Sequence, residues 1–282
     1  MSVQPPSPTP AQSRSNRTTV IVLVVIAVIL AVIAALLLQN VARHHQGAAA
    51  TSQAANSTTS AAAATTVPEP TPAPPVPDAQ TLELIRSEAH RDPADAQAKG
   101  KVHAPVVIVV YSDFACPYCT QFAQKVEPEL ADLVAQGTLR VEWRDLAQIS
   151  PTSPLAAQAG RAAAKQGKFW EFHDAVYAAA DPQGHPEYTE DSLVAFAKKA
   201  GVADIDRFRT DMNAAETVSA VTEAKEHAHS IGITGTPFMI VGETFISGYQ
   251  DAEYMKAVIN SQAAKVKTSD TSKTSAAPTA TR

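Results

Sequence analysis

The chain has 282 residues, 23 Lys and Arg against 28 Asp and Glu, and a formal net charge of −5. An acidic balance without interleaved aromatic and arginine side chains lacks the footprint of a nucleic-acid binder, so nucleic acid is not an expected partner. Two cysteines are too few for the disulfide framework of a small secreted domain and enough for one redox couple.

Residues 1–19 form a short polar head carrying Arg14 and Arg17, read as a cytoplasmic N-terminal segment. Residues 20–38, from Val20 to Leu38, are an apolar run without charge, Gly or Pro. As a helix, about 19 residues rise about 28 Å, close to the thickness of a bilayer's hydrocarbon core, which predicts a transmembrane anchor in contact with lipid. A cleavable signal peptide has a shorter apolar core with its cleavage site close behind; here Gln39, Asn40 and Arg43 follow, so the anchor is expected to be retained. The short basic head favours a single-pass protein of the cell membrane with everything downstream on the extracytoplasmic side.

Residues 39–78 are read together, since Gln46 to Asp78 is almost entirely Ala, Ser, Thr and Pro and ends in the proline-rich run Val67 to Pro77. That composition cannot bury a core and predicts a disordered linker acting as a tether. The folded domain is expected over residues 79–264, and the Ser-, Thr-, Ala- and Lys-rich stretch 265–282 is read as a disordered tail.

Within the domain, Val106 to Val110 is a β-branched run suited to a central strand covered on both faces. The tetrapeptide Cys116-Pro117-Tyr118-Cys119 follows, and then Phe122, Val126, Leu130 and Leu133 recur at helical spacing as far as Gly137, which predicts one helix. Leu139, Val141 and Trp143 alternate with Arg140, Glu142 and Arg144, predicting a strand with one buried face that pairs parallel to the first and completes a βαβ unit. From about 153 to 231 only helical periodicity appears, an inserted helical subdomain. Phe238 to Val241 and Thr244 to Ser247 flank Gly242-Glu243 as a β-hairpin, followed by a helix from about Asp251 to Asn260. The fold class is α/β.

The chemistry concentrates at the strand-to-helix junction. With Cys116 at the helix N-cap, unpaired N–H groups and the positive end of the dipole favour its thiolate, so Cys116 is the expected nucleophile. Pro117 at the first helical position loses no hydrogen bond. Cys119, three residues on, shares the helix face within disulfide reach and is expected to be the more covered, resolving thiol. Tyr118 points from the rim. Thr236-Pro237 opens an apolar strand after Gly232-Ile233-Thr234-Gly235, a bend that leaves the Thr236 backbone available to an extended peptide substrate.

A zinc site, and a ligand or general-base role for His173, are less well supported. A zinc site of Cys116, Cys119, His227 and His229 would need histidines two apart on one helix, which point to different sides. His173 lies in an aromatic stripe with Phe169, Trp170 and Tyr177 and reads as a core histidine.

Taken in order, Ser112-Asp113-Phe114-Ala115-Cys116-Pro117-Tyr118-Cys119, Gly167-Lys168-Phe169-Trp170-Glu171-Phe172-His173-Asp174, Gly235-Thr236-Pro237-Phe238 and Ile246-Ser247-Gly248-Tyr249 resemble the DsbA-like thiol-disulfide oxidoreductases. In that family a helical domain interrupts a thioredoxin-like fold; the resemblance covers about Lys101 to Ala264. It implies that Cys116 forms mixed disulfides, that Cys119 resolves them, that the pair cycles through a redox-active Cys116–Cys119 disulfide, and that Pro237 is cis beside it. It also implies unfolded exported proteins with cysteines as substrates, a quinone-linked membrane partner as re-oxidase, and no bound cofactor. The tetrapeptide is similar to that of glutaredoxins as well, but about 120 residues between Cys119 and Pro237 and an oxidising compartment argue against that compact fold. Family members often carry a buried acid six positions before the first cysteine, where this chain has Val110; Glu142 and Asp145 are the candidate replacements. The expected function is a membrane-anchored oxidase that introduces disulfides, with an isomerase or reductase on the same fold as the alternative.

Overall fold

The computed structural model describes residues 74–275. The expected head 1–19, the expected anchor 20–38 and the linker as far as residue 73 lie outside the described residues. Among the described residues no helix is long and apolar enough to cross a membrane.

Helix α1 (Ala79–Glu88) starts at Asp78, whose Oδ1 accepts the Thr81 N–H at 2.7 Å. It is followed by β1 (Ala98–Lys99), β2 (Val106–Ser112), α2 (Pro117–Lys125), α3 (Glu127–Ala135) and β3 (Leu139–Asp145). The inserted helices are α4 (Ser153–Ala164), α5 (Phe169–Ala179), α6 (Glu190–Lys199), α7 (Ile205–Asn213) and α8 (Ala215–Ser230). The hairpin β4 (Phe238–Val241) and β5 (Thr244–Ser247) and the helix α9 (Ala252–Ser275) complete the domain. The sheet order is β1-β3-β2-β4-β5, with β2 parallel to β3 and the other neighbours antiparallel.

Strand β2 is buried along its whole length, as its unbroken β-branched run predicts. Side chains alternate between faces: Val106, Ile108 and Val110 pack with Phe122, Val126, Leu130, Met255 and Ile259 from α2, α3 and α9. Val107, Val109 and Tyr111 pack on the other face with Ile85 of α1, Ala228 of α8 and Ile233. The insertion has its own core, in which Phe114, Phe169, Phe172, Leu193, Phe208 and Met212 are each no more than 1% exposed, with both cysteines at its edge.

Four expectations need correction. The helix after Cys119 is two helices, joined at Val126, because Pro128 has no N–H to give and its ring crowds the carbonyl four residues back. Strand β3 does not have one wet face: Arg140 and Glu142 are 3% and 0% exposed. Their face is closed by the segment before β1, where the His90 and Arg91 backbone N–H groups donate to the Glu142 carboxylate, and Arg140 Nε and Arg144 Nη2 each lie 2.8 Å from it. Buried charges are tolerated when paired and hydrogen-bonded in this way. Helix α9 runs to Ser275, past the boundary at Ala264 where the tail was expected to begin. Docking of Met255, Val258, Ile259 and Ala263 supplies the nucleus from which further turns propagate. Finally, the end of the linker is not free of the domain, since Thr244 Oγ1 donates to the Pro75 carbonyl at 2.7 Å.

Candidate active site

The site forms where β2 runs out. Asp113, 1% exposed, accepts the Ala115 N–H on Oδ1 at 2.8 Å and the Gln148 and Ile149 N–H groups on Oδ2 at 2.6 and 2.8 Å. One carboxylate thus shapes the turn before the cysteines and fastens the loop after β3 to it. Gln148 extends the frame: its Nε2 donates to the Thr234 carbonyl at 2.8 Å, and its Oε1 lies 2.7 Å from His229 Nε2. Cys116 caps α2 with an extended backbone and Pro117 in the first turn, and its carbonyl accepts the Thr120 N–H at 2.9 Å.

Both cysteines are free thiols, 2% and 1% exposed. The Cys116 thiol donates to the Thr236 carbonyl at 3.4 Å, and the Thr236-Pro237 peptide is cis. The hydrogen bond from the Cys119 thiol lowers Cys116 to about 6; burial opposes the shift, while the Thr236 hydroxyl and the backbone N–H groups of Cys119 and Tyr118 add to it. Thr236 Oγ1 is buried without another partner, so its proton is free to serve the sulfur once Cys116 ionises. Cys119 is pushed well up, first by burial and then by its neighbour Cys116. One sulfur of the pair is therefore a thiolate at neutral pH and the other a thiol in reserve, the asymmetry that exchange through a mixed disulfide requires. Tyr118 is 56% exposed and Ile149 37%, giving the otherwise polar mouth an apolar rim.

The sequence-based candidates for a proton-handling acid do not reach the dithiol. Val110 is buried and lines a cavity of about 230 Å³ with Ile108, Phe122, Leu130, Lys99 and Glu127. Glu142 is committed to Arg140 and Arg144, and Asp145 accepts Trp143 Nε1 at 2.7 Å and Arg161 Nε at 2.6 Å. Both acids are buried and structural, not solvated strand charges.

His173 is a core histidine among Trp143, Trp170 and Tyr177, 3.4 Å from Glu127 and 2.8 Å from Asp174. Burial pushes Glu127 up, but His173 and Lys99 outweigh it and hold the carboxyl down at about 2. His227 Nε2 lies 3.0 Å from Glu88 and His229 faces Gln148, so neither histidine forms a cation site with the cysteines. Among the described residues no group of three or more His, Cys, Asp or Glu could hold a metal ion.

Sequence reasoning missed the anchoring role of Asp113, and it missed Gln148 and the pair Ser112 and Tyr177. Ser112 Oγ and Tyr177 OH meet at 3.0 Å behind the cysteines. The available signal was a hydroxyl at the last strand position beside a tyrosine one helical turn beyond His173.

A family model described as Thioredoxin matches residues 94–261. This chain belongs to the thioredoxin family. The probable disulfide bond formation protein D of Bacillus cereus is 29% identical over 173 residues, 60% of this chain and 79% of that protein. The Na(+)/H(+) antiporter NhaA 3 of Salinispora tropica is 32% identical over 173 residues, again 60% of this chain. This chain matches only 25% of the length of that antiporter. The oxidised crystal structure of BdbD from Bacillus subtilis shares the fold with a TM-score of 0.55 at 23% identity, covering 59% of this chain and 92% of that one.

Proposed function

We propose that this thioredoxin-family protein is a membrane-tethered oxidase that passes a Cys116–Cys119 disulfide to cysteines of unfolded exported proteins. A client thiolate attacks Cys116, a mixed disulfide forms, and a second client thiol releases the reduced enzyme. The observation that carries the reading is the unequal acidity of the two thiols: Cys116 is held at about 6 while Cys119 is pushed well up. Stabilising the Cys116 thiolate stabilises the reduced enzyme, which makes the disulfide a stronger oxidant. The backbone of Thr236, beside Cys116, is the docking edge for an extended client, with Tyr118 on the rim.

In this reading residues 20–38 anchor the protein in the bilayer, the domain faces the extracytoplasmic side, and a quinone-linked membrane protein restores the disulfide. The test is Cys119→Ser expressed in cells: the variant's Cys116 thiolate attacks a client disulfide, a client thiolate leaves, and with no Cys119 thiol to reopen the mixed disulfide from the enzyme side the complex persists. Mixed disulfides through Cys116 accumulate if the reading holds, and their absence sinks it.

A further inference from the structure

The buried sulfur of Cys119 must carry a full negative charge at one moment of the cycle proposed above, and this inference rests on that reading. A client thiolate attacks Cys116 Sγ, the client–Cys116 bond forms, the Cys116–Cys119 bond breaks, and the electron pair departs on Cys119. The second client thiol then attacks the client's first sulfur, giving its proton to Cys119 and releasing Cys116 as a thiolate. The client loses two electrons and the dithiol gains them. An anion in a site 1% exposed is costly unless donors already face it.

Two donors do. The Ser112 hydroxyl and the Asp113 backbone N–H both act on Cys119 in the direction that favours its anion. The backbone donor is fixed and the hydroxyl can turn. Ser112 Oγ is also 3.0 Å from Tyr177 OH, and Tyr177 OH donates to the Asp113 carbonyl at 3.0 Å. Because a tyrosine hydroxyl has one proton, the Ser112–Tyr177 contact carries the serine's proton, leaving a serine lone pair for the Cys119 thiol. All three side chains are buried. The titratable groups around the sulfur are Cys116, Asp113, Tyr177 and Tyr188; burial holds both tyrosines well above their ordinary range, so they stay neutral.

We propose that the Ser112 hydroxyl is a two-position donor for the resolving cysteine: it points to Tyr177 while Cys119 is a thiol and turns onto the sulfur as the disulfide opens. Ser112 touches a reacting atom and is catalytic in that sense. Tyr177 is a positioning residue, the acceptor that competes with the sulfur for the serine's proton. The two therefore act with opposite sign. Removing the serine hydroxyl makes Cys119 a worse leaving group, whereas removing the tyrosine hydroxyl leaves the serine proton no partner except the sulfur.

The experiment measures the rate at which glutathione opens the Cys116–Cys119 disulfide of the full-length protein, together with the pH midpoint of Cys116 alkylation. Ser112→Ala is expected to slow opening about tenfold, as for a lost hydrogen bond to a charged group, and Tyr177→Phe to speed it about threefold, as for a neutral one. Ser112→Thr, which keeps the hydroxyl, restores the wild-type rate, and the Cys116 midpoint stays in place throughout. Equal rates in Ser112→Ala and wild type, shifts of the same sign in the Ala and Phe variants, or changes that track a moved Cys116 midpoint overturn the proposal. If Ser112→Ala does not fold, Tyr177→Phe decides: a rate unchanged or slower overturns it. A wild-type disulfide inert to glutathione instead sinks the oxidase reading itself.

Discussion

Replacing Cys119 by Ala removes the group that contributes most to the acidity of Cys116. In the wild type Cys116 ionises at about 6 against an ordinary 9.0. At pH 7 that difference means about 90% thiolate in place of about 1%, a gain of about ninety-fold in the reactive form. The more acidic thiolate is also intrinsically weaker: with a Brønsted coefficient near 0.45, three units cost about twenty-fold in rate, which leaves a net advantage of about fourfold at pH 7. Above about pH 7.7 the order reverses, so the diagnostic is the midpoint of the pH profile rather than any single rate. The assay follows reaction of the reduced protein with a small aromatic disulfide from about pH 4 to pH 10. Wild type should show a midpoint near 6. Cys119→Ala should move up towards 9.0 without reaching it, because Thr236 and the N–H groups of the first helical turn still act on the sulfur. A wild-type midpoint near 9, or a variant that does not move, refutes the claim that the second thiol sets the acidity of the first.

The same shift links redox state to pH-dependent stability. Cys116 is depressed in the folded reduced protein, so its contribution is fully present above the unfolded value of 9.0 and is lost as pH falls through about 6. The disulfide form has no such group, so melting temperatures of the reduced protein should rise relative to the oxidised one between those limits, and parallel curves contradict this. Asp113→Ala strips the acceptor from three backbone N–H groups, and with about 1–3 kcal/mol for each orphaned group, partly relieved by water, a loss of about 3 kcal/mol is expected. For a domain of this size that lowers the melting temperature by about 6–12 °C; Asp113→Asn, which keeps one carboxylate-like oxygen, should lose less in the same calorimetric scan.

What could be read from the sequence was whatever local rules determine. The β-branched run of β2, Pro117 behind Cys116, the Gly242-Glu243 hairpin and the helical insertion from about 153 to 231 all obey nearest-neighbour chemistry, and each lies where expected. Gly242 takes a φ of 58° in the hairpin, and a Cβ there would come within 3.0 Å of Gln262 Oε1, a double reason for glycine. Pro128 signalled the break at Val126 and was outweighed by the apolar spacing running across it. Arg140 and Glu142 misled because alternating charges look solvated until a distant segment closes over them. The Ser112–Tyr177 contact joins residues 65 apart in sequence, and the Asp113 bonds to Gln148 and Ile149 join residues 35 and 36 apart. No local pattern encodes such meetings; they exist once the sheet and the insertion have packed.

The direction of electron flow follows from one quantity, the equilibrium between the dithiol and the Cys116–Cys119 disulfide in glutathione buffers of known ratio, read by mass after acid quenching and thiol labelling. A thiolate as stabilised as that of Cys116 predicts a reduction potential between about −120 and −180 mV, that of an oxidant. A value near −270 mV, that of a reductase, contradicts the account.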